Sequence, residues 1–173
     1  MSTPYLKEPS DQLSDPRDLL VAYLDAYRSA ALGKLDGLSE ADLRRSVLPS
    51  GWTALELLQH LAFVERRWFR WGFLGERVEA PWGDNDAASG RWTVSPEHSV
   101  GSVQSLFLAE CARSREIVAA AGLTDRARLG GRFVSPATQP TLSWIMFHVL
   151  QEYARHLGQL DVVRELIDGA VGE

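Results

Sequence analysis

The chain has 173 residues, enough for one domain with a sizeable core. Its 18 Lys and Arg stand against 23 Asp and Glu, giving a formal charge of -5 and no basic stripe. That balance argues against nucleic-acid binding, which needs cations to displace counterions from phosphates.

Residues 1–14 are predicted to form a flexible N-terminal segment, and 15–173 one helical domain. The first 15 residues are polar and acidic, without the basic-then-apolar order of a signal peptide. No apolar run approaches the length of a membrane span. A cytoplasmic protein without a membrane partner is expected. Asp15-Pro16 reads as a helix start, because proline suits the first helical position. Leu19, Leu20, Tyr23, Leu24 and Tyr27 follow at helical spacing, so a first helix is predicted at about 16–36. A connector over 38–50 carries a short helical fragment at 39–43 and breaks at Pro49-Ser50-Gly51.

Thr53 and Glu56 have the spacing of a capping box, in which each side chain satisfies a free backbone N–H of the first turn. Leu57, Leu58, Leu61 and Val64 give this second helix an apolar face to about Phe73. The stretch 75–98 is rich in Gly, Pro, Asp, Asn and Ser, and is longer than most connections within a domain. It allows a crossover between two parallel helices. A third helix is predicted at about 97–121, ending at Gly122. The irregular stretch 123–140 holds Gly130-Gly131, Ser135-Pro136 and, at Arg132-Phe133-Val134, a short extended piece.

The fourth helix is predicted at about 141–168, with Gly169 as its C-terminal cap. Trp144, Ile145, Phe147, Val149, Leu150, Leu157, Leu160, Val163, Leu166 and Ile167 surround much of it, which predicts heavy burial. The lone cysteine, Cys111, lies in a helical pattern with Leu108, Ala112 and Arg115. It is expected to be a buried, inert thiol in a reducing compartment. The predicted fold is all-α, a four-helix bundle with a long crossover loop between helices 2 and 3.

His148, Glu152 and His156 are four residues apart and form a polar row on the apolar fourth helix. A buried carboxylate is costly unless it is paired or binds a metal. Glu152 and His156 can chelate one ion from adjacent turns, and His60 on the second helix is the candidate third ligand. Two histidines and a carboxylate leave coordination positions open, as at catalytic zinc and non-haem iron sites. The spacing alone leaves open a plainer reading, in which Glu152 pairs with Arg155 or another arginine and the histidines are ordinary core or surface residues.

Two segments resemble the DinB/YfiT-like metalloenzyme superfamily. One runs from Gly51-Trp52-Thr53-Ala54 to His60-Leu61-Ala62; the other is Glu152-Tyr153-Ala154-Arg155-His156-Leu157-Gly158-Gln159-Leu160-Asp161. The resemblance implies His60, Glu152 and His156 as metal ligands. Many relatives carry three histidines, and Glu152 replaces one of them here. The resulting set is similar to that of the mycothiol-dependent maleylpyruvate isomerase branch. The ending Arg164-Glu165-Leu166-Ile167-Asp168-Gly169 looks closer to an actinobacterial branch that includes the mini-circle proteins. The isomerase's additional C-terminal domain has no counterpart, which counts against maleylpyruvate as substrate.

The resemblance implies zinc, with nickel, iron or manganese compatible, and a low-molecular-weight thiol such as mycothiol. The expected activity is metal-dependent S-transfer or isomerisation of a small electrophile. A metal-dependent hydrolase, an iron oxygenase and a non-enzymatic interaction bundle with a vestigial site are the alternatives, and a homodimer through helix faces fits any of them. His148 is a candidate hydrogen-bond partner of Glu152 or a substrate contact. Trp52, Trp82, Trp92 and Trp144 are candidate pocket walls, and Arg66, Arg67, Arg70 and Arg155 candidate carboxylate binders. For Arg66 and Arg67 a solvated helix face is the preferred reading.

Overall fold

The computed structural model describes residues 6–171. Residues 1–5, part of the segment expected to be flexible, and 172–173 lie outside the described residues. Residues 6–14 form no helix, and Leu6 packs against the core. Among the described residues the secondary structure is helical, with isolated bridges in place of strands. No described helix is long and apolar enough to cross a membrane.

Helix α1 spans Pro16–Gly33, and the Asp15 side chain caps it by accepting from the Arg17 and Asp18 amides. It stops short of the expected end because the next amides bond three residues back, Leu35 to Leu32 and Asp36 to Gly33. Helix α2 is the short Glu40–Leu43, capped by Ser39. Helix α3 spans Ala54–Glu65, and both halves of the Thr53–Glu56 capping box are formed.

The predicted second helix does not continue as an α-helix. Residues Arg66–Phe73 are π-helical, and the Leu74 amide closes the segment on the Phe69 carbonyl. Gly72 permits this: a Cβ there would stand 2.9 Å from the Arg67 carbonyl oxygen. Helix α4 spans Val100–Ala119 behind its Ser99 cap, and α5 spans Leu142–Asp168 between its Thr141 cap and left-handed Gly169. The extended piece expected at Arg132-Phe133-Val134 is reduced to one isolated bridge between Leu129 and Phe133.

Side-chain contacts fix the helix directions. His60 and Glu65 on α3 meet His156 and Tyr153 on α5 in reverse order, so these helices are antiparallel. Glu65 meets Cys111 of α4, and Phe73 shares a cavity with Glu116 and Ile117, so α3 and α4 run the same way. Leu24 of α1 lines a cavity with Met146 of α5, and Arg164 bonds the Lys34 carbonyl, so α1 and α5 also run together.

The core is one apolar cluster drawn mainly from these four helices, with Leu43 of α2, Trp68, Phe69 and Phe73 of the π-helical segment, and Ala127 added. At its centre lies a polar knot. Glu65 is fully buried, accepts two hydrogen bonds of 2.9 Å from Arg28 and one of 2.8 Å from Tyr153, and faces Cys111. Burial, reinforced by the Glu65 charge, pushes the Cys111 thiol up to about 12 and the Tyr153 phenol well above its ordinary range. Helix α5 is less buried than expected. Trp144, Phe147, Val162 and Leu166 are half-exposed on one stripe, because α1 and α3 cover only the opposite side.

Glu65→Ala leaves the buried Arg28 with only Asp25 as an acidic partner and is expected to cost about 3–5 kcal/mol in a urea-unfolding measurement; a loss under about 1 kcal/mol contradicts the role assigned to the knot. Burial and the raised pKa keep Cys111 in its thiol form at about pH 8. The native protein should therefore resist a disulfide reagent that labels it once urea is added, and rapid stoichiometric labelling of the native protein would contradict the burial.

Candidate metal centre

The antiparallel crossing of α3 and α5 brings His60 opposite two successive turns of α5. One ligand atom each from His60, Glu152 and His156 lies within 4.8 Å of the others. Glu152 Oε2 is 3.1 Å from His156 Nε2, and Glu152 Oε1 is 3.3 Å from His148 Nε2. The three expected ligands are thus together, with His148 against the carboxylate. Donors bound to one ion at roughly 2.0–2.2 Å stand within about 4.4 Å of one another, so a small side-chain closure fits this set to a metal.

The second nitrogen of each histidine is already engaged. His60 Nδ1 donates to Asp84 Oδ2 at 2.8 Å, and His156 Nδ1 donates to Gln159 Oε1 at 2.9 Å. Neither acceptor oxygen has a proton to give, so His60 keeps its Nε2 lone pair for the centre, while His156 Nε2 faces the Glu152 carboxylate as a donor, and a metal bound there would take the place of that proton. The donor set and its orientation both fit a divalent ion.

Asp84 comes from the 75–98 stretch, which is ordered around the site. The Thr93 amide bonds the Asp84 carbonyl, the Asp86 amide bonds the Arg91 carbonyl, and Asn85 bridges Trp92. Gln59 of α3 anchors this small hairpin by donating to the Thr93 carbonyl at 2.8 Å. Asp84 is thereby fully buried beside His60, and the Trp92 ring stacks on the same imidazole with centroids 4.2 Å apart. Arg67 balances the carboxylate with a 2.6 Å bond from Nη1 to Asp84 Oδ1.

The charges follow from this packing. Burial lowers the His60 pKa, helped by the nearby His156 and Arg67 and opposed by Asp84; the net shift favours the neutral, metal-binding form. Burial alone would raise Asp84, but its bonds from His60 and Arg67 outweigh that and hold it ionised. The hydrogen bond from His156 lowers Glu152, and the neighbouring histidine charges add to it. Burial lowers His148, while Glu152 opposes the shift.

Several sequence expectations need correction. Arg67 is buried on Asp84 and is not on a solvated face; it lies seven residues after His60, hence on the same helix face. Arg66 and Arg70 both bond the buried Glu110 at 2.9 Å. Arg155 is exposed and makes no ion pair among the described residues, so it does not pair with Glu152. Trp52 touches the site only through Trp92, at 6.0 Å between centroids. Trp144 stacks on His148, and Trp82 packs against Arg67. Asp84 and Gln159 were not among the expected site residues. Gln159 follows His156 by three and shares its helix face, a usable signal; Asp84, in a loop, has no periodicity to reveal it.

A family model described as mycothiol-S-transferase matches residues 19–169. A search of curated proteins finds no match.

Asp84→Ala removes the acceptor that orients His60. It should weaken zinc binding roughly 10–100-fold in a chelator-competition titration. Unchanged affinity would show that His60 needs no such partner.

Proposed function

The chain belongs to the mycothiol-S-transferase family, within the DinB/YfiT-like superfamily, and from that premise we propose a divalent-metal-dependent S-transferase that joins a mycothiol-type thiol to a small electrophile. The observation that carries this reading is the convergence of His60, Glu152 and His156, each histidine held by a partner of its own. A divalent ion bound there, zinc in our reading, supplies positive charge that favours the thiolate of a bound thiol at neutral pH.

The chain's own residues do the rest. Asp84 and Gln159 fix the orientation of the two imidazoles, so that each presents Nε2 to the centre. Trp92 stacks on one face of His60. Glu152, kept ionised, offsets part of the cationic charge. The protein's own sulfur is not the nucleophile: Cys111 is buried in the polar knot, so the thiol must come from a co-substrate. A carbon–sulfur bond then forms as the leaving group departs. We also propose the superfamily's four-helix bundle, with residues 75–98 crossing between its parallel second and third helices; the direction of α3 relative to α4 supports this.

With monochlorobimane as electrophile, zinc-loaded protein should form the thioether only when thiol is supplied. His60→Ala or His156→Ala should lower kcat/KM by about 100-fold or more. Consumption of the electrophile that needs no thiol, or that survives both changes, would contradict S-transfer and favour hydrolysis.

A further inference from the structure

Arg132 is a half-buried cation that the metal centre does not use. Its backbone is fixed against the π-helical segment: the Arg132 amide donates to the Trp71 carbonyl at 3.0 Å, and the Arg128 amide to the Phe73 carbonyl at 2.8 Å. This approach requires glycine at 131, where a Cβ would overlap the Trp71 carbonyl. The guanidinium carbon then lies 4.3 Å from the Trp68 ring centroid, 5.5 Å from Trp82 and 5.7 Å from Trp71.

The buried arginines elsewhere have acidic partners: Arg28 has Glu65, Arg67 has Asp84 and Arg164 has Asp168. Arg132 differs. Among the described residues its guanidinium makes no hydrogen bond or ion pair, only ring contacts. Partial burial and the nearby Arg67 charge disfavour its cationic form without a compensating anion. Indoles engage the faces of a guanidinium and leave its edge N–H groups, the fork that matches a carboxylate.

Its position is close to the chemistry. The Trp68 ring that carries Arg132 also packs on His148, with centroids 4.1 Å apart, and His148 touches Glu152. Two packed rings, Trp68 and His148, therefore link the unpaired cation to the candidate metal centre.

We propose that Arg132 binds the carboxylate of the electrophilic co-substrate and that the more exposed Trp71 and Trp82 rings bind its apolar body, making carboxylate-bearing electrophiles the preferred class. The co-substrate role rests on the transferase reading; the anion site does not. The sulfur of the thiol belongs at the metal centre, and an indole wall suits an apolar electrophile better than a hydrophilic thiol.

The test is quenching of tryptophan fluorescence by 3-nitrobenzoate and by the neutral 3-nitrobenzamide, on the full chain with and without zinc. The acid should bind roughly tenfold or more tightly in both states. Arg132→Gln should abolish that preference, and Arg132→Lys should keep part of it. No preference in the wild type overturns the proposal, whatever the variants do. A preference unchanged in Arg132→Gln, or one that needs zinc, also overturns it, the latter by placing the carboxylate on the metal. In turnover with a thiol, 4-chloro-3-nitrobenzoate should lose chloride as its carbon–sulfur bond forms, and Arg132→Gln should raise KM for it but not for the matching amide. A rise in the thiol KM alone would overturn the assignment to the electrophile. Arg132-dependent binding without turnover supports the anion site while contradicting the transferase reading.

Discussion

An imidazole can offer a lone pair to a metal only from a nitrogen that carries no proton, and the partner of the other nitrogen decides which one that is. At His60 that partner is Asp84, and much of the molecule serves to bring a loop carboxylate to a helical histidine. The hairpin between Asp84 and Thr93 sets the carboxylate's height, Gln59 ties the hairpin to α3, and Arg67 neutralises a charge that could not otherwise stay buried. At His156 the same task falls to Gln159, one turn away on the same helix. The two histidines are thus oriented by different means, one through tertiary structure and one locally.

The irregular parts of the chain carry as much of the site as the helices do. Through Arg66–Phe73 the shift to π-helical geometry changes the angular step per residue, and Gly72 lets the backbone close on itself there. Trp68 and Trp71 of this segment face Arg132, while Arg66 and Arg70 converge on Glu110. The polar knot of Glu65, Arg28, Tyr153 and Cys111 joins α1, α3, α4 and α5 just beneath the centre. Glu65 and Tyr153 are close in sequence to His60 and Glu152, so the knot fixes how α3 and α5 meet, and with it the distance between the ligands.

What could be read from the sequence follows from periodicity. Helical spacing and capping residues located α1, α3, α4 and α5, and the four-residue spacing on the last helix singled out Glu152, His156 and their neighbour His148. His60 was legible because it interrupts an apolar face. Arg67 shares that face by a seven-residue step, but a charged residue near a helix end resembles a solvated one until a buried carboxylate is known to meet it. Asp84 and Arg132 lie in loops, where no repeat links sequence position to direction in space. The π-helical turn was hidden for a related reason: over only eight residues its longer period leaves an apolar pattern that still reads as a helix.

The central claim is that the three residues brought together by α3 and α5 hold one metal ion. Elemental analysis of protein purified without an affinity tag or chelator tests it directly, alongside a double variant carrying His60→Ala and His156→Ala. The account predicts about one divalent metal per chain, lost in a folded double variant. Absence of metal, with no uptake on adding zinc, or equal retention by the double variant, would contradict it.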